Sequence, residues 1–258
     1  MTALAEPGLA GRWVPLRGRA DGDGFPLLCL PHAGGSASAF TAWIGRVPGV
    51  SVLPVQPPGR EARYAEPAFV EMGPLVEQLA SVVLDEIVEG RPYAIYGHSH
   101  GALIGFELVR EVRRRGGRLP VRLFVSGSVA PQCGAAEEGP PVSGMSRAEI
   151  VGWLRRLGGT PEWLLADRDA LDMVLPAIKG DFTLRERYVY AAEKPLPTPI
   201  TVVAATRDTR VRPDLQYRWG EQTTGGFEQR TLDGGHFAVY EQAALTHRYV
   251  LEGLETWL

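Results

Sequence analysis

The segment Gly97-His98-Ser99-His100-Gly101 constrains the fold of this chain more than any other. It follows the apolar run 93–96 and leads into a helical pattern at 102–115. A G-x-S-x-G sequence between a strand and a helix is typical of a sharp turn whose glycines remove the Cβ atoms that would clash there. The pattern predicts that the turn holds Ser99 at its tip, projecting from one edge of a sheet.

Apolar runs alternate with helical patterns over much of the chain. This alternation predicts the α/β class, with a mainly parallel, doubly wound sheet, and 258 residues can form one such unit. We predict a loose tail up to Ala10, a short edge strand at 13–16 and a turn at 21–24. The other predicted strands are 25–30, 50–55, 93–97, 121–126, 199–205 and 227–232, and the helices outside the insertion described next include 73–88, 102–115 and 238–258.

The pattern changes between residues 131 and 193, where helices are predicted at 146–157, 161–166 and 169–190 with no strand between them. We therefore predict a core of 1–130 and 194–258, with 131–193 as a helical lid over the edge that carries Ser99. Helix-on-helix packing is favoured for any one of the apolar side chains of this segment, although together they can line a channel. They are Trp153, Leu154, Leu157, Trp163, Leu164, Leu165, Met173, Ile178 and Phe182.

Serine is a weak nucleophile, so Ser99 needs a neighbouring base. His98 and His100 flank it across the turn and are expected to diverge from its hydroxyl. His32 lies in a glycine-rich loop, and His247 lies within the last predicted helix. The base is therefore predicted to be His236, which follows the last strand in a glycine-containing loop.

The base in turn needs a carboxylate that fixes its tautomer. Asp208 follows the end of a predicted strand, and the order Ser99, Asp208, His236 is the one expected of α/β-hydrolases. Asp233 is too close to His236 in sequence to reach round the ring, and Asp214 is the alternative candidate for the acid.

Attack on a carbonyl creates an oxyanion that needs two N–H donors. The loop Pro31-His32-Ala33-Gly34-Gly35-Ser36 follows the first buried strand, and its glycines let the backbone approach a ligand. We predict that the backbone N–H groups of Ala33 and His100 form the oxyanion hole, with Gly34 as the alternative to Ala33. This chemistry requires no metal or cofactor.

Bulk properties exclude several classes of protein. A net charge of −3 gives no general attraction to nucleic acid. Cys29 and Cys133 have no metal-ligand spacing and indicate no disulfide framework, which fits a reducing cytoplasm. No apolar run approaches the length of a membrane span, and no secretory leader is recognised.

Arg60 and Glu61 lie in a proline-containing loop after the second predicted strand. A loop held by local ion pairs is favoured over a functional surface for these two residues.

Several motifs, taken in order, resemble the type II (editing) thioesterases of polyketide and nonribosomal peptide assembly lines. The resemblance extends from about Phe25 to Leu258, with His100 where many relatives carry methionine and Ala205 where a glycine often precedes the acid. The motifs are Pro31-His32-Ala33-Gly34-Gly35, Pro58-Gly59-Arg60-Glu61-x-Arg63, the serine turn, Asp181-Phe182 leading to Tyr188, Asp208, and Gly234-Gly235-His236-Phe237.

The resemblance implies an α/β-hydrolase fold and hydrolysis of acyl groups from the phosphopantetheine arm of acyl or peptidyl carrier proteins, which clears stalled units. It implies no cofactor beyond the phosphopantetheine of the substrate, and we expect a monomer. The arginines between Arg110 and Arg122 could attract an acidic carrier protein, but a solvated helix end is favoured.

The residues alone support only acyl transfer to water and do not distinguish a thioester from an oxygen ester. A small-molecule carboxylesterase, a thioesterase that releases or transfers chains, and an inactive scaffold that docks on a synthase are the alternatives.

Overall fold

The computed structural model describes residues 8–17, 24–136 and 140–258. Its six strands form one sheet in the order β2-β1-β3-β4-β5-β6, and each neighbouring pair is parallel. The predicted α/β class with a parallel sheet is confirmed. The strands are β1 Phe25–Leu30, β2 Val50–Pro54, β3 Ala94–His98, β4 Arg122–Ser126, β5 Ile200–Ala205 and β6 Phe227–Leu232. The predicted tail at 1–7 and the turn at 21–23 lie outside the described residues.

Nine α-helices occur in the described part of the chain. They are α1 Leu9–Trp13, α2 Met72–Val82, α3 His100–Arg114, α4 Arg147–Leu157, α5 Glu162–Ala166, α6 Arg168–Arg187, α7 Pro213–Tyr217, α8 Ala238–Glu241 and α9 Ala243–Leu254. Helix α2 continues into a π-helical turn at Val83–Ile87. The predicted helix at 73–88 therefore exists, with its last turn widened.

Both faces of the sheet are covered, so the central strands are mostly buried and mostly apolar. On one face, Leu28 and Ile95 belong to the same buried cluster as Phe106 of α3. On the other face, Leu27 and Tyr96 pack in a cluster with Leu254 of α9. Adjacent residues of one strand thus enter opposite layers, which explains why the strands read as continuous apolar runs.

Trp13 overturns the prediction of an edge strand at 13–16. It ends helix α1, which begins at Leu9, so residues 9 and 10 are helical and do not belong to a tail. Its side chain is completely buried, and the guanidinium of Arg63 lies 4.3 Å from the centre of the indole ring. The segment is helical because the Trp13 ring is buried between the core and the guanidinium of Arg63.

The predicted single helix at 238–258 is also wrong, because the backbone leaves helical geometry at Gln242, with φ −110° and ψ 46°. The Gln242 amide donates to the carbonyl of Asp233, at 2.7 Å. The hydroxyl of Thr246 is 3.0 Å from the carbonyl of Val239 and 3.2 Å from that of Gln242. Such bonds from side chains to the backbone compete with a continuous helix.

Helices α4, α5 and α6 lie between β4 and β5, in the segment predicted to be a lid. Ser146 and Glu149 form a capping box at the start of α4, and Asp167 caps α6, which ends at Arg187 instead of the predicted 190. The division into a core and an insertion stays a prediction, while the three helices are observed in the described residues of 131–193.

The turn between β3 and α3 depends on close backbone approach. A Cβ atom on Gly97 would lie 2.3 Å from the carbonyl oxygen of Gly101, and a Cβ atom on Gly101 would lie 2.1 Å from that of Leu30. These are backbone atoms that cannot rotate away. Helix α3 therefore begins directly against the end of β1 only because both positions are glycine.

We predict that Gly101→Ala destabilises the protein by about 3 kcal/mol or more, because the added methyl group must displace β1 or α3. Urea unfolding measures the change. Gly152→Ala in α4 is the control, since its new Cβ would meet only the end of the Arg156 side chain, at 3.5 Å, and alanine favours helix by up to about 1 kcal/mol. Equal effects of the two substitutions would contradict this account of the turn.

Candidate active site

Ser99 lies at the tip of the β3–α3 turn in a strained conformation, with φ 55° and ψ −113°. Non-glycine residues seldom adopt a positive φ, and when they do the surrounding structure must enforce it. Here the Ser99 N–H donates to the carbonyl of Ser126 at the end of β4, at 2.7 Å. The side chain is partly exposed and lines a cavity beneath the helices of 131–193.

His236 and Asp208 form a buried pair at the same edge of the sheet. His236 Nδ1 donates to Asp208 Oδ2 at 2.8 Å, and the two side chains are 5% and 1% exposed. The other carboxylate oxygen accepts the Arg210 N–H at 2.9 Å. The hydrogen bond between His236 and Asp208 places the proton on Nδ1 of the imidazole and leaves Nε2 free to act as a base. His236 lines the same cavity as Ser99.

The two other acids considered are held elsewhere. Asp233 accepts from the Thr206 hydroxyl at 2.8 Å and pairs with Arg207, and both ionic side chains of that pair are exposed. Asp214 pairs with Arg212 at 2.9 Å on the surface. The structure thus brings Asp208, and neither alternative, into contact with His236.

The loop after β1 is held by Asp181 of α6. Asp181 Oδ2 accepts the Gly34 N–H at 2.7 Å, and the Gly35 N–H donates to the carbonyl of His32 at 2.9 Å. Gly34 is therefore unavailable as an oxyanion donor in this conformation, which favours Ala33. The second predicted donor, His100, is the first residue of α3, where an N–H has no acceptor within the helix.

Arg60 makes a buried, bidentate ion pair with Asp181, in which both N–O distances are 2.7 Å. Arg60 Nη1 also donates to the carbonyl of Gly35 at 2.9 Å. The expectation that local ion pairs hold Arg60 and Glu61 is wrong for Arg60, while Glu61 accepts a hydrogen bond from the Ser36 hydroxyl at 2.6 Å. The partner of Arg60 lies 121 residues further along the chain, so no spacing in the sequence announced the pair. The only sequence signal was that both residues occur in the recognised motifs.

Three further histidines lie close to the site, of which His98 and His100 are buried and His32 is partly exposed. Burial is the main cause that lowers the pKa of His32 to about 4, helped by the charge of His236. Burial also lowers the pKa of His98 well below its usual range and that of His100 to about 4. His98 is held in place because its Nδ1 is 2.9 Å from the hydroxyl of Ser126.

The cavity, of about 300 Å³, is lined by both the sheet edge and the helices above it. Six of the nine apolar residues proposed for a channel contribute to the lining: Trp153, Leu154, Leu157, Leu164, Ile178 and Phe182. Trp163 and Met173 are instead exposed, and Leu165 is buried within the cluster that joins the three helices. Leu154, Ile178 and Phe182 belong to that cluster too, so packing and lining are combined in the same side chains.

The arginines at the end of α3 are paired with carboxylates. Arg110 is buried and bonds Glu107 and Glu193, and Arg113 and Arg114 also bond Glu193. These contacts tie α3 to the segment before β5. The expectation of a merely solvated helix end is therefore wrong for Arg110.

Within the described residues, no helix has both the length and the apolar character required to cross a bilayer. The same residues contain no group of three or more His, Cys, Asp or Glu side chains arranged to hold a metal ion. Cys29 and Cys133 are unpaired and buried.

A parallel α/β sheet that presents a serine at a strand-to-helix turn, beside a His–Asp pair at the same edge, defines an α/β-hydrolase. A family model described as the thioesterase domain matches residues 25–258. This chain therefore belongs to the thioesterase family, whose members are hydrolases that act on thioesters.

Individual proteins show the same similarity. The gramicidin S biosynthesis protein GrsT of Aneurinibacillus migulanus is 38% identical over 218 residues, which cover 83% of each chain. A protein named linear gramicidin dehydrogenase LgrE, of Brevibacillus parabrevis, is 32% identical over 236 residues, which cover 90% of this chain and 88% of LgrE. The solved structure of the type II thioesterase BorB, from the borrelidin biosynthetic cluster, superposes with a TM-score of 0.81 at 36% identity and covers 91% of this chain and 94% of BorB.

We predict that Asp181→Asn destabilises the protein by about 3–5 kcal/mol, because it leaves the buried Arg60 cation without a counter-charge. Urea unfolding measures the effect. The control is Asp172→Asn, which breaks an ion pair with Arg147. The Arg147 side chain is 32% exposed and that of Asp172 is 54% exposed, so this substitution should change stability little. Indistinguishable unfolding midpoints for the two variants would contradict the proposed importance of the buried pair.

We also predict that His100 makes stability depend on pH. An unfolded histidine binds a proton near pH 6.5, whereas folded His100 does so only near pH 4. Unfolding between these values takes up a proton, so the free energy of unfolding should fall as pH falls from about 6.5 to 4, by up to about 1.4 kcal/mol per pH unit. Urea unfolding at several pH values should show a shallower decline for His100→Met. Parallel profiles would contradict a buried neutral ring.

Proposed function

We propose that this protein hydrolyses acyl thioesters through Ser99, His236 and Asp208, with the N–H groups of Ala33 and His100 as the oxyanion hole. The observation that carries the proposal is the buried His236–Asp208 hydrogen bond of 2.8 Å, because His236 lines the cavity that also contains the strained Ser99. The family match over 25–258 supports the thioester as substrate.

In the first half of the proposed reaction, Ser99 Oγ attacks the thioester carbonyl while His236 Nε2 accepts its proton. Asp208 holds the ring and stabilises the imidazolium that forms. The two N–H donors stabilise the oxyanion of the tetrahedral intermediate, each contributing on the order of 10²-fold or more in rate. Collapse breaks the C–S bond, and the thiolate leaves with the proton of His236 as a free thiol.

In the second half, a water molecule attacks the acyl-serine ester while His236 accepts one of its protons. The second tetrahedral intermediate collapses to a carboxylic acid, and His236 returns the proton to Ser99 Oγ. The reaction consumes one water and regenerates the enzyme. All the acid–base steps use one imidazole, so we propose that the protein itself needs no cofactor or metal.

We propose that the natural substrates are acyl groups on the phosphopantetheine arm of carrier proteins of a polyketide or nonribosomal peptide synthase, and that hydrolysis clears stalled units. The similarity to BorB, named a type II thioesterase of a biosynthetic cluster, and to GrsT, named for gramicidin S biosynthesis, supports this role. The carrier proteins are then its partners. A monomeric state and a cytoplasmic location stay predictions.

The decisive substrate test compares a butyryl carrier protein and butyryl-pantetheine with p-nitrophenyl butyrate. We expect the highest kcat/KM with the carrier-bound thioester. Preference for the oxygen ester would favour a carboxylesterase, and acyl transfer to an acceptor other than water would favour a releasing or transferring enzyme. Because LgrE is named a dehydrogenase, the assay also monitors oxidation of reduced nicotinamide cofactors, which the proposed reaction does not cause.

We predict that Ser99→Ala abolishes measurable turnover and that Asp208→Asn lowers kcat by about 10⁴-fold, because an asparagine stabilises the wrong tautomer of His236. Asp214→Asn is the matched control, since this carboxylate pairs with Arg212 at the surface. It should keep nearly the activity of the unaltered protein. Loss of activity in Asp214→Asn, with retention in Asp208→Asn, would refute the assignment of the acid.

A further inference from the structure

His100 is a buried polar side chain with no hydrogen-bond partner in the described structure. Its residue is 3% exposed, and neither Nδ1 nor Nε2 bonds any group of the described chain. A buried donor or acceptor left unpaired is energetically unfavourable, so native proteins rarely keep one without a use. In His100 both ring nitrogens lack a hydrogen-bond partner among the described residues.

The place of His100 in the fold relates its ring to the reacting serine. It is the first residue of α3 and lines the cavity together with Ser99. Side chains of a helix lean towards its N-terminus, which here is the serine turn. Its own backbone N–H is a proposed oxyanion donor, so the residue that carries the ring borders the proposed position of the scissile carbonyl.

The ring is uncharged at neutral pH. Burial is the main cause that lowers the pKa of His100 to about 4, with Asp181 opposing the shift and Arg185 and Arg60 adding to it. A neutral imidazole has one N–H donor and one acceptor nitrogen. It can therefore accept a hydrogen bond from a hydroxyl group or donate one to a carbonyl oxygen, and it offers nothing to a purely hydrocarbon chain.

We propose that the cavity selects acyl groups with a hydroxyl or keto oxygen close to the thioester, at about the β carbon, and that the His100 ring binds this oxygen. The inference rests on the proposed thioesterase function and specifies its substrate class. An acyl chain without the oxygen leaves the ring unpaired, and a site built for a hydrogen bond discriminates against such a substrate.

Two other buried histidines show why this role falls to His100. His98 uses Nδ1 towards Ser126 at 2.9 Å, so only its Nε2 is unpaired, and it is not part of the cavity lining. His247 packs against Trp43, with ring centres 4.8 Å apart, and is also outside the lining. In the described structure, His100 combines an unpaired ring with a place beside the reacting serine.

The test compares 3-hydroxybutyryl-pantetheine and acetoacetyl-pantetheine with butyryl-pantetheine, which have the same chain length. We expect the oxygen-bearing substrates to have a kcat/KM roughly threefold to tenfold higher, as for one neutral hydrogen bond. His100→Met removes the ring at similar volume and should abolish this preference, so that the three thioesters are hydrolysed with similar kcat/KM values. His247→Met is the control and should retain the preference, whatever its effect on stability.

Absence of a preference in the unaltered protein, or an equal preference in His100→Met, would overturn the inference. Binding to Ser99→Ala, measured by calorimetry with the same three thioesters, tests it without turnover. Tighter binding of the oxygen-bearing thioesters, lost in Ser99→Ala/His100→Met, would support it, and equal affinities would refute it. Failure of the unaltered protein to hydrolyse any thioester would instead refute the proposed function, whatever the affinities show.

Discussion

The arrangement of the active edge depends on one steric constraint, the contact of α3 with the end of β1. A Cβ atom at Gly101 would lie 2.1 Å from the carbonyl oxygen of Leu30, so the helix can start where it does only without that atom. The same crossing forces Ser99 to a φ of 55°. The strain is tolerated because two buried layers of side chains hold β3 and α3 in place, and they provide far more stabilisation than one unfavourable dihedral costs.

A second constraint connects the helical cover to the loop after β1. Asp181 accepts bonds from both Arg60 and the Gly34 N–H, and the two ionic side chains are buried. A buried ion pair contributes little net stability compared with apolar packing, but removing one partner is costly. Its value here is therefore geometric, since it fixes the backbone that presents Ala33 and orients the floor of the cavity.

Much of the fold could be predicted because its signals are local. Five of the six strands are largely apolar runs, the serine turn has its own motif, and Asp208 and His236 both follow strands, which places them at one sheet edge. Features set by distant contacts could not be predicted. Trp13 becomes helical under the stacked Arg63, the last helix breaks where Gln242 bonds Asp233, and Arg60 pairs with a residue of α6. No periodicity encodes such encounters.

The dependence of Gly34 on Asp181 has a consequence for exchanging parts between homologous enzymes. If helices α4 to α6 were replaced by those of another family member, the new segment would have to supply a carboxylate within hydrogen-bond distance of the Gly34 N–H. Otherwise the loop after β1 would lose this hydrogen bond. The cavity walls supplied by α4, such as Trp153 and Leu157, make no such bond to Gly34. Chimeras that retain α6 and vary α4 should thus alter chain-length tolerance while keeping the catalytic scaffold intact.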